Sequence, residues 1–185
     1  FDNQDYILFY AEGIDNWNSE NLTHLNLYDT KSYYYITSFG GAGKRILEKN
    51  QPSDVPNLTF TTFDDYQFYE KDEINIGKLG RKWFGNSFNI DDEQEFEFSI
   101  PNLITTEPID LFVNMASASQ GNSSFEVFAN QQSLGTVSFT SLSSLNDTYG
   151  VENYLSSSIF SSTSSLKIRL KYNNGGVPSS NGVLD

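Results

Sequence analysis

Alternation of apolar and polar residues dominates the second half of this chain. It is strict in Glu95-Phe96-Glu97-Phe98-Ser99-Ile100 and stops at Pro101. Ile109, Leu111, Val113 and Met115 alternate with Asp110, Phe112 and Asn114; Phe125 and Val127 flank Glu126; and Leu134 to Phe139 continues the pattern. The plainest case is Leu166 to Tyr172, where Leu166, Ile168, Leu170 and Tyr172 interleave with Lys167, Arg169 and Lys171. Successive side chains of a strand point to opposite faces, so this segment sets its apolar groups on one face and its cations on the other. Short runs of this kind, separated by turn residues, predict an antiparallel β-sandwich. The serine-rich stretches Ser156-Ser157-Ser158 and Ser161-Ser162-Thr163-Ser164-Ser165 read as loops.

The first third is patterned differently. Tyr6 to Ala11 is a continuous apolar run of strand length, followed by a turn from Glu12 to Trp17. Leu22 to Tyr28 alternates, and Asp29 to Ser32 turns the chain into Tyr33-Tyr34-Tyr35-Ile36-Thr37, which predicts a β-hairpin. Gly40-Gly41-Ala42-Gly43 breaks the pattern, and Pro52 and Pro56 mark a linker, because proline lacks a ladder donor and biases its predecessor to extended forms. Leu58 to Phe63 opens a second block, and the acidic run Asp64 to Glu73 suits a helical turn or a loop. The expectation is an all-β chain: an N-terminal hairpin lobe over residues 1–50 and a jelly-roll-like antiparallel β-sandwich over residues 56–185. The chain opens inside a patterned stretch, and Gly182-Val183-Leu184-Asp185 reads as the start of a strand, so a piece of a longer protein is expected, its closing strand beyond Asp185.

Composition narrows the chemistry. Aromatic residues make up 15% of the 185 positions, which favours pleated, half-buried surfaces. Cysteine is absent, which excludes a disulfide framework, a thiolate zinc site and a cysteine nucleophile within this chain. The formal charge of −13 repels phosphate backbones and anionic lipid surfaces, so neither nucleic acid nor direct membrane contact is expected.

Candidate sites are few. Lys44 and Arg45 close a glycine-rich run, but a phosphate loop needs glycine where Ser38 stands and Ser or Thr where Arg45 stands, so a glycine turn is the better reading. His24 is the only histidine and sits in an alternating segment, so neither a catalytic triad nor a multi-histidine metal site can be assembled from this chain. The carboxylates of Asp64-Asp65, Asp72-Glu73 and Asp91-Asp92-Glu93 read as solvated loops. Their oxygens would suit calcium, but EF-hand spacing is missing, so no cofactor is expected and calcium has no motif behind it. Trp17 and Trp83-Phe84 could act as sugar-stacking platforms or as core aromatics, and Arg81 could lie over Trp83 or pair with Glu70.

One series of stretches is similar to a known family. Asp5-Tyr6-Ile7-Leu8-Phe9-Tyr10-Ala11-Glu12-Gly13-Ile14-Asp15-Asn16-Trp17 resembles an N-terminal signature of the PorU-type sortases of the bacterial type IX secretion system. His24 with Asn26 to Tyr28, Tyr33 to Thr37, Gly43-Lys44-Arg45-Ile46, Tyr69-Glu70-Lys71-Asp72, Gly80-Arg81-Lys82-Trp83-Phe84-Gly85 and Asn181 to Asp185 resemble further stretches of that family in the same order. Ile14, Leu79, Lys82 and Asn86 depart from the pattern, where the family has Pro, Ser, Glu and Glu. The resemblance covers nearly the whole chain. It implies the non-catalytic N-terminal β region of an exported, outer-membrane or cell-surface protein, with a gingipain-like cysteine peptidase domain downstream that removes sorting domains and attaches cargo. Implied partners are that peptidase domain, secreted cargo and other attachment-complex proteins, with membrane contact only through them. Asp15, Trp17, His24, Lys44, Arg45, Glu70, Arg81 and Trp83 are the candidate interaction or signature residues, and none is catalytic. A carbohydrate-binding module and a structural cell-surface adhesin domain are the alternatives from other classes.

Overall fold

Among the described residues, eight strands between Ser87 and Leu184 carry almost all the regular structure. They are β1 (Ser87–Phe88), β2 (Glu93–Ser99), β3 (Ile109–Ala118), β4 (Ser123–Ala129), β5 (Gln132–Phe139), β6 (Val151–Ile159), β7 (Ser165–Asn173) and β8 (Asn181–Leu184). They are seen in a computed structural model that describes residues 8–14, 16, 18, 20, 23, 26, 29, 31–37, 39–41, 47–76, 82–143 and 150–185. All pairings are antiparallel, in two four-stranded sheets of order β1-β8-β3-β6 and β2-β7-β4-β5. The pairs β1·β8, β2·β7, β3·β6 and β4·β5 follow from one long hairpin wrapped into two layers, which is a jelly roll.

The alternation read from the sequence is the alternation of burial. Leu166, Ile168, Leu170 and Tyr172 of β7 are buried, while Lys167 and Lys171 are exposed and Arg169 half-buried. The core lies between the sheets, where Phe88, Phe125, Phe139 and Tyr172 pack with Met115, Val127 and Leu170. The Phe125 ring meets Phe88 edge-on at 5.0 Å and Tyr172 at 4.8 Å. One polar chain crosses this core. Ser117 Oγ is 2.7 Å from both Ser123 Oγ and Tyr172 Oη, and Tyr172 Oη also bonds Ser180 Oγ. Joined hydroxyls avoid the cost of burying polar groups unpaired.

Two expectations are corrected. Ser156-Ser157-Ser158 is not a loop but part of β6, paired with Phe112, Leu111 and Asp110 of β3. Serine is a weak local signal, and here the pairing partner overrides it. Leu8 to Ala11, in the predicted first strand, carries no strand and is exposed, and so is Leu58 to Phe63. An apolar run of strand length makes a strand only where a ladder partner and a surface to cover are present. Asn181–Leu184, expected as a strand's beginning, is a strand paired on both sides, to β1 and to β3.

The chain divides into two units, Phe1–Tyr66 and Gln67–Asp185. In the first, Asn18 and Thr23 form an isolated antiparallel bridge, and Tyr34 Oη donates to the Glu12 carbonyl at 2.5 Å. Most of the first arm of the predicted hairpin, Leu22 to Tyr28, lies outside the described residues, and its second arm, Tyr33 to Thr37, is exposed and carries no strand.

Candidate functional site

The two sheets present very different outer faces. On the second sheet, β2 and β7 pair so that Glu93, Glu95 and Glu97 stand opposite Lys171, Arg169 and Lys167. The ion pairs run mainly on the diagonal: Lys167 Nζ to Glu95 at 2.8 Å and Arg169 to Glu93 at 3.0 Å, with Lys171 4.0 Å from Glu93. The Arg169 guanidinium also lies 3.9 Å from the centroid of the Phe128 ring. Charges of both signs interleave along the β2·β7 pair.

The first sheet is covered on part of its outer face by the stretch before β1. Ile74 and Phe84 bridge, with their backbones bonded both ways at 2.7 Å. This brings Phe84 down onto Ala116 of β3 and Val183 of β8, with Ile74 and Ile76 alongside, as a second small core. Gly85 is tightly held here, because a Cβ on it would stand 2.8 Å from Lys71 Cβ. Gly85 N–H then donates to the Leu184 carbonyl at 2.8 Å, and Leu184 N–H to the Asn86 carbonyl at 3.0 Å. Gly182, on the inner side of β8, lies where a Cβ would be 2.6 Å from the Tyr172 ring and 2.7 Å from Phe125.

A polar cluster sits at the rim of this covered patch. Asp185 Oδ2 accepts from Asn114 Nδ2 at 2.6 Å and lies 3.4 Å from Lys82 Nζ, while Lys82 donates to Glu152 Oε2 at 2.8 Å. Burial pushes the Asp185 carboxyl up, against the lowering pull of Lys82 and the Asn114 bond, with Glu70 adding to the rise. Burial pulls the Lys82 ammonium down, but its bonds and attraction to Glu152 and Asp185 outweigh this and leave it raised. Beside the cluster the face is open. Phe112 of β3 and Tyr154 of β6 stack at 5.2 Å and 30° and are 46% and 59% exposed, and Ser158 Oγ donates to Asp110 at 2.5 Å.

Of the residues singled out in the sequence, Asp15, Trp17, His24, Lys44, Arg45 and Arg81 lie outside the described residues. Glu70 is half-buried and within electrostatic reach of Asp185. Trp83 is 41% exposed, whereas Phe84, its neighbour in the sugar-stacking reading, is buried and unavailable as a platform. Gly40 and Gly41 both have positive φ, at 105° and 93°, as a glycine turn requires. Asn114, Glu152, Phe112 and Tyr154 were not foreseen as a group, because only the β3·β6 register brings them to one face. Among the described residues no three or more His, Asp or Glu side chains are placed to hold a metal ion.

No family model matches the chain, and no curated protein matches it. Among solved structures, dimeric latent PorU from Porphyromonas gingivalis is similar at 17% identity and a TM-score of 0.49, over 62% of this chain and 12% of that one. A carbohydrate-binding module, CBM36 in complex with calcium and xylotriose, is similar at 16% identity and a TM-score of 0.40, over 63% of this chain and 89% of that one. The CBM36-1 domain of a multidomain xylanase from the hindgut metagenome of Trinervitermes trinervoides has 11% identity and a TM-score of 0.38, over 57% and 83%. The jelly roll itself stands on the strand order.

Proposed function

We propose that this chain is a non-catalytic jelly-roll module from the N-terminal region of an exported PorU-type sortase, supporting a downstream cysteine peptidase domain or docking partners at the cell surface. The observation that carries this reading is the convergence of three signature-like stretches far apart in sequence. Tyr69 to Asp72, Lys82 to Gly85 and Asn181 to Asp185 meet on the first sheet. Gly85 is pressed against Lys71 and bonded to Leu184, and Lys82 is paired with Asp185. The departures from the family pattern have their own work there. Lys82 joins Glu152 to Asp185, and Asn86 accepts from Tyr69 Oη at 2.6 Å and donates to Gln94 at 2.7 Å. The test is to sequence the gene beyond the Asp185 codon and to assay the isolated chain. A following domain with a paired cysteine and histidine supports the reading; another kind of domain, or peptide-bond turnover by the chain alone, overturns it.

The open Phe112–Tyr154 pair favours a second reading, a carbohydrate-binding module, because exposed rings beside hydroxyl and carboxylate groups suit a sugar ring. A glycan array decides. Reproducible binding lost in Tyr154→Ala or Trp83→Ala favours this reading, and no binding to any glycan removes it.

A further inference from the structure

The four sheet edges are not equally protected. β1 is two residues long. β2 carries three glutamates and is overlaid by the preceding stretch: Tyr69 lies 4.7 Å from Phe96, ring to ring, and Gln67 Nε2 donates to the Ser99 carbonyl at 2.5 Å. β5 is irregular, with a register shift in its pairing to β4, Gly135 at a φ of 139°, and its Ser138 carbonyl taken by Asn153 Nδ2 at 3.2 Å. Short length, charge, bulges and cover are the devices that stop an edge from recruiting another strand. β6 has less of this protection, although Asn153 Oδ1 takes the Tyr154 N–H at 3.0 Å. Its nine residues pair without a shift with β3 from Ser117↔Val151 to Ile109↔Ile159, and among the described residues it pairs with nothing else. It contains no proline, lysine or glycine, and Glu152 is its single charge.

We infer that the free edge of β6 is a docking site for one extended segment of a partner protein, which adds as a further strand to the first sheet. Strand addition draws affinity from main-chain bonds and specificity from alternate side chains. On the inner side, Val151 and Leu155 are half-buried and offer apolar footing. On the outer side, Tyr154 and Phe112 offer an aromatic strip, with Asp110 and Glu152 beside it. Among described outer-face charges here, Asp110, Glu152 and Asp185 outnumber Lys82, which is already paired twice. The whole chain carries −13. Such a field repels a second copy and attracts a cationic segment. The occupant is therefore an extended peptide alternating lysine or arginine with aliphatic residues. This extends the docking role proposed above and names its surface and the chemistry of its partner.

The probe is a capped peptide as long as β6, alternating lysine and valine with one central tyrosine, and its control has glutamate for each lysine. The lysine peptide is expected to bind more than about tenfold tighter at low salt. It is also expected to slow amide exchange at residues 152–158 and nowhere else. Ser156→Pro, which removes a donor, and Ser156→Lys, which keeps the strand and opposes the probe's charge, are each expected to weaken binding about tenfold or more. Equal binding of the two peptides, protection away from β6, or no loss in Ser156→Lys overturns the inference. So does sedimentation of the free chain as a dimer with β6 protected, which assigns the edge to a second copy. Ser156→Lys bears on this edge alone, so its failure leaves the sortase-region reading to be judged by the domain that follows Asp185.

Discussion

The outer faces of the two sheets differ in what they spend their residues on. The second sheet's face is a ladder of opposite charges between β2 and β7, finished by Arg169 lying on Phe128. Each of its contacts is made between residues of adjacent strands, and most sit in water. The first sheet's face is built from pieces distant in sequence: Lys82 and Phe84 before the roll, Asn114 and Ala116 in β3, Glu152 in β6, and Val183 and Asp185 at the end of β8. A face held by local, solvated pairs is a self-sufficient surface. A face that gathers remote segments, buries a carboxylate and leaves two rings open depends for its shape on contacts that no single strand pair supplies.

The sharpest way to break this contrast is to remove the anchor of each face. Phe84→Ala empties the small core over Ala116 and Val183 and is expected to cost about 3 kcal/mol in urea unfolding. Phe128→Ala on the other face removes a half-buried ring under a guanidinium and is expected to cost about 1 kcal/mol. If the two variants lose equal stability, the first face is no more integrated than the second.

A smaller effect belongs to the rim. Lys82→Met removes the cation shared by Glu152 and Asp185 and leaves Asp185 partly buried, bonded to Asn114 and within reach of the Glu70 charge. Partners that are this exposed reduce the penalty of a broken buried pair to about 1 to 2 kcal/mol, readable as a drop in denaturation midpoint at pH 7. The pH response tests the same group by sign. Asp185 has its folded pKa raised, so the folded state holds the proton more tightly than the unfolded chain. Its contribution therefore becomes more favourable as pH falls through the folded pKa to the ordinary carboxylate value. Lys82 is raised as well, so its contribution is present below the ordinary lysine pKa and lost only as strongly alkaline pH passes through the raised value. Asp185→Asn removes the acid-side gain, so the stability difference between wild type and variant is expected to shift in favour of the wild type as pH falls through that carboxylate window. The alkaline loss tied to Lys82 is expected to shrink, because Asp185 is one of the partners that raise it. A stability difference that shifts in favour of the variant as pH falls would contradict the assignment.

The second sheet was far more legible in the sequence than the first. Leu166 to Tyr172 and Glu95 to Ile100 each carry a period of two that states both strand and facing, and the structure pairs them directly. Nothing local announces the first sheet's site. Asn114 and Tyr154 are ordinary residues until the β3·β6 register places them side by side, and Ser156 to Ser158 look like a loop until Asp110 and Phe112 stand opposite. The stretches Lys82 to Gly85 and Asn181 to Asp185 stood out by resemblance, but no period or spacing shows that one runs against the other. Sequence patterns report what a strand does with its own two faces. They do not report which distant segment will lie on top.

The smallest expected effect comes from the second sheet, and it is diagnostic because it is small. Arg169→Ala removes the ion pair to Glu93 and the contact over Phe128 together. Half-exposed pairs and exposed cation–π contacts are each worth little, so a loss of about 0.5 to 1 kcal/mol is expected. That loss divides by its salt response. The Glu93 attraction is screened when the ionic strength rises from low salt to about 1 M, while the packing of the arginine stem on the ring is not. Arg169→Met keeps much of the stem and loses the charge, so its deficit should shrink as salt is added, whereas part of the Arg169→Ala deficit should persist. A deficit in Arg169→Met that stays constant from low to high salt would mean that the ladder is not held by charge, and the difference between the two faces would then lie in packing alone.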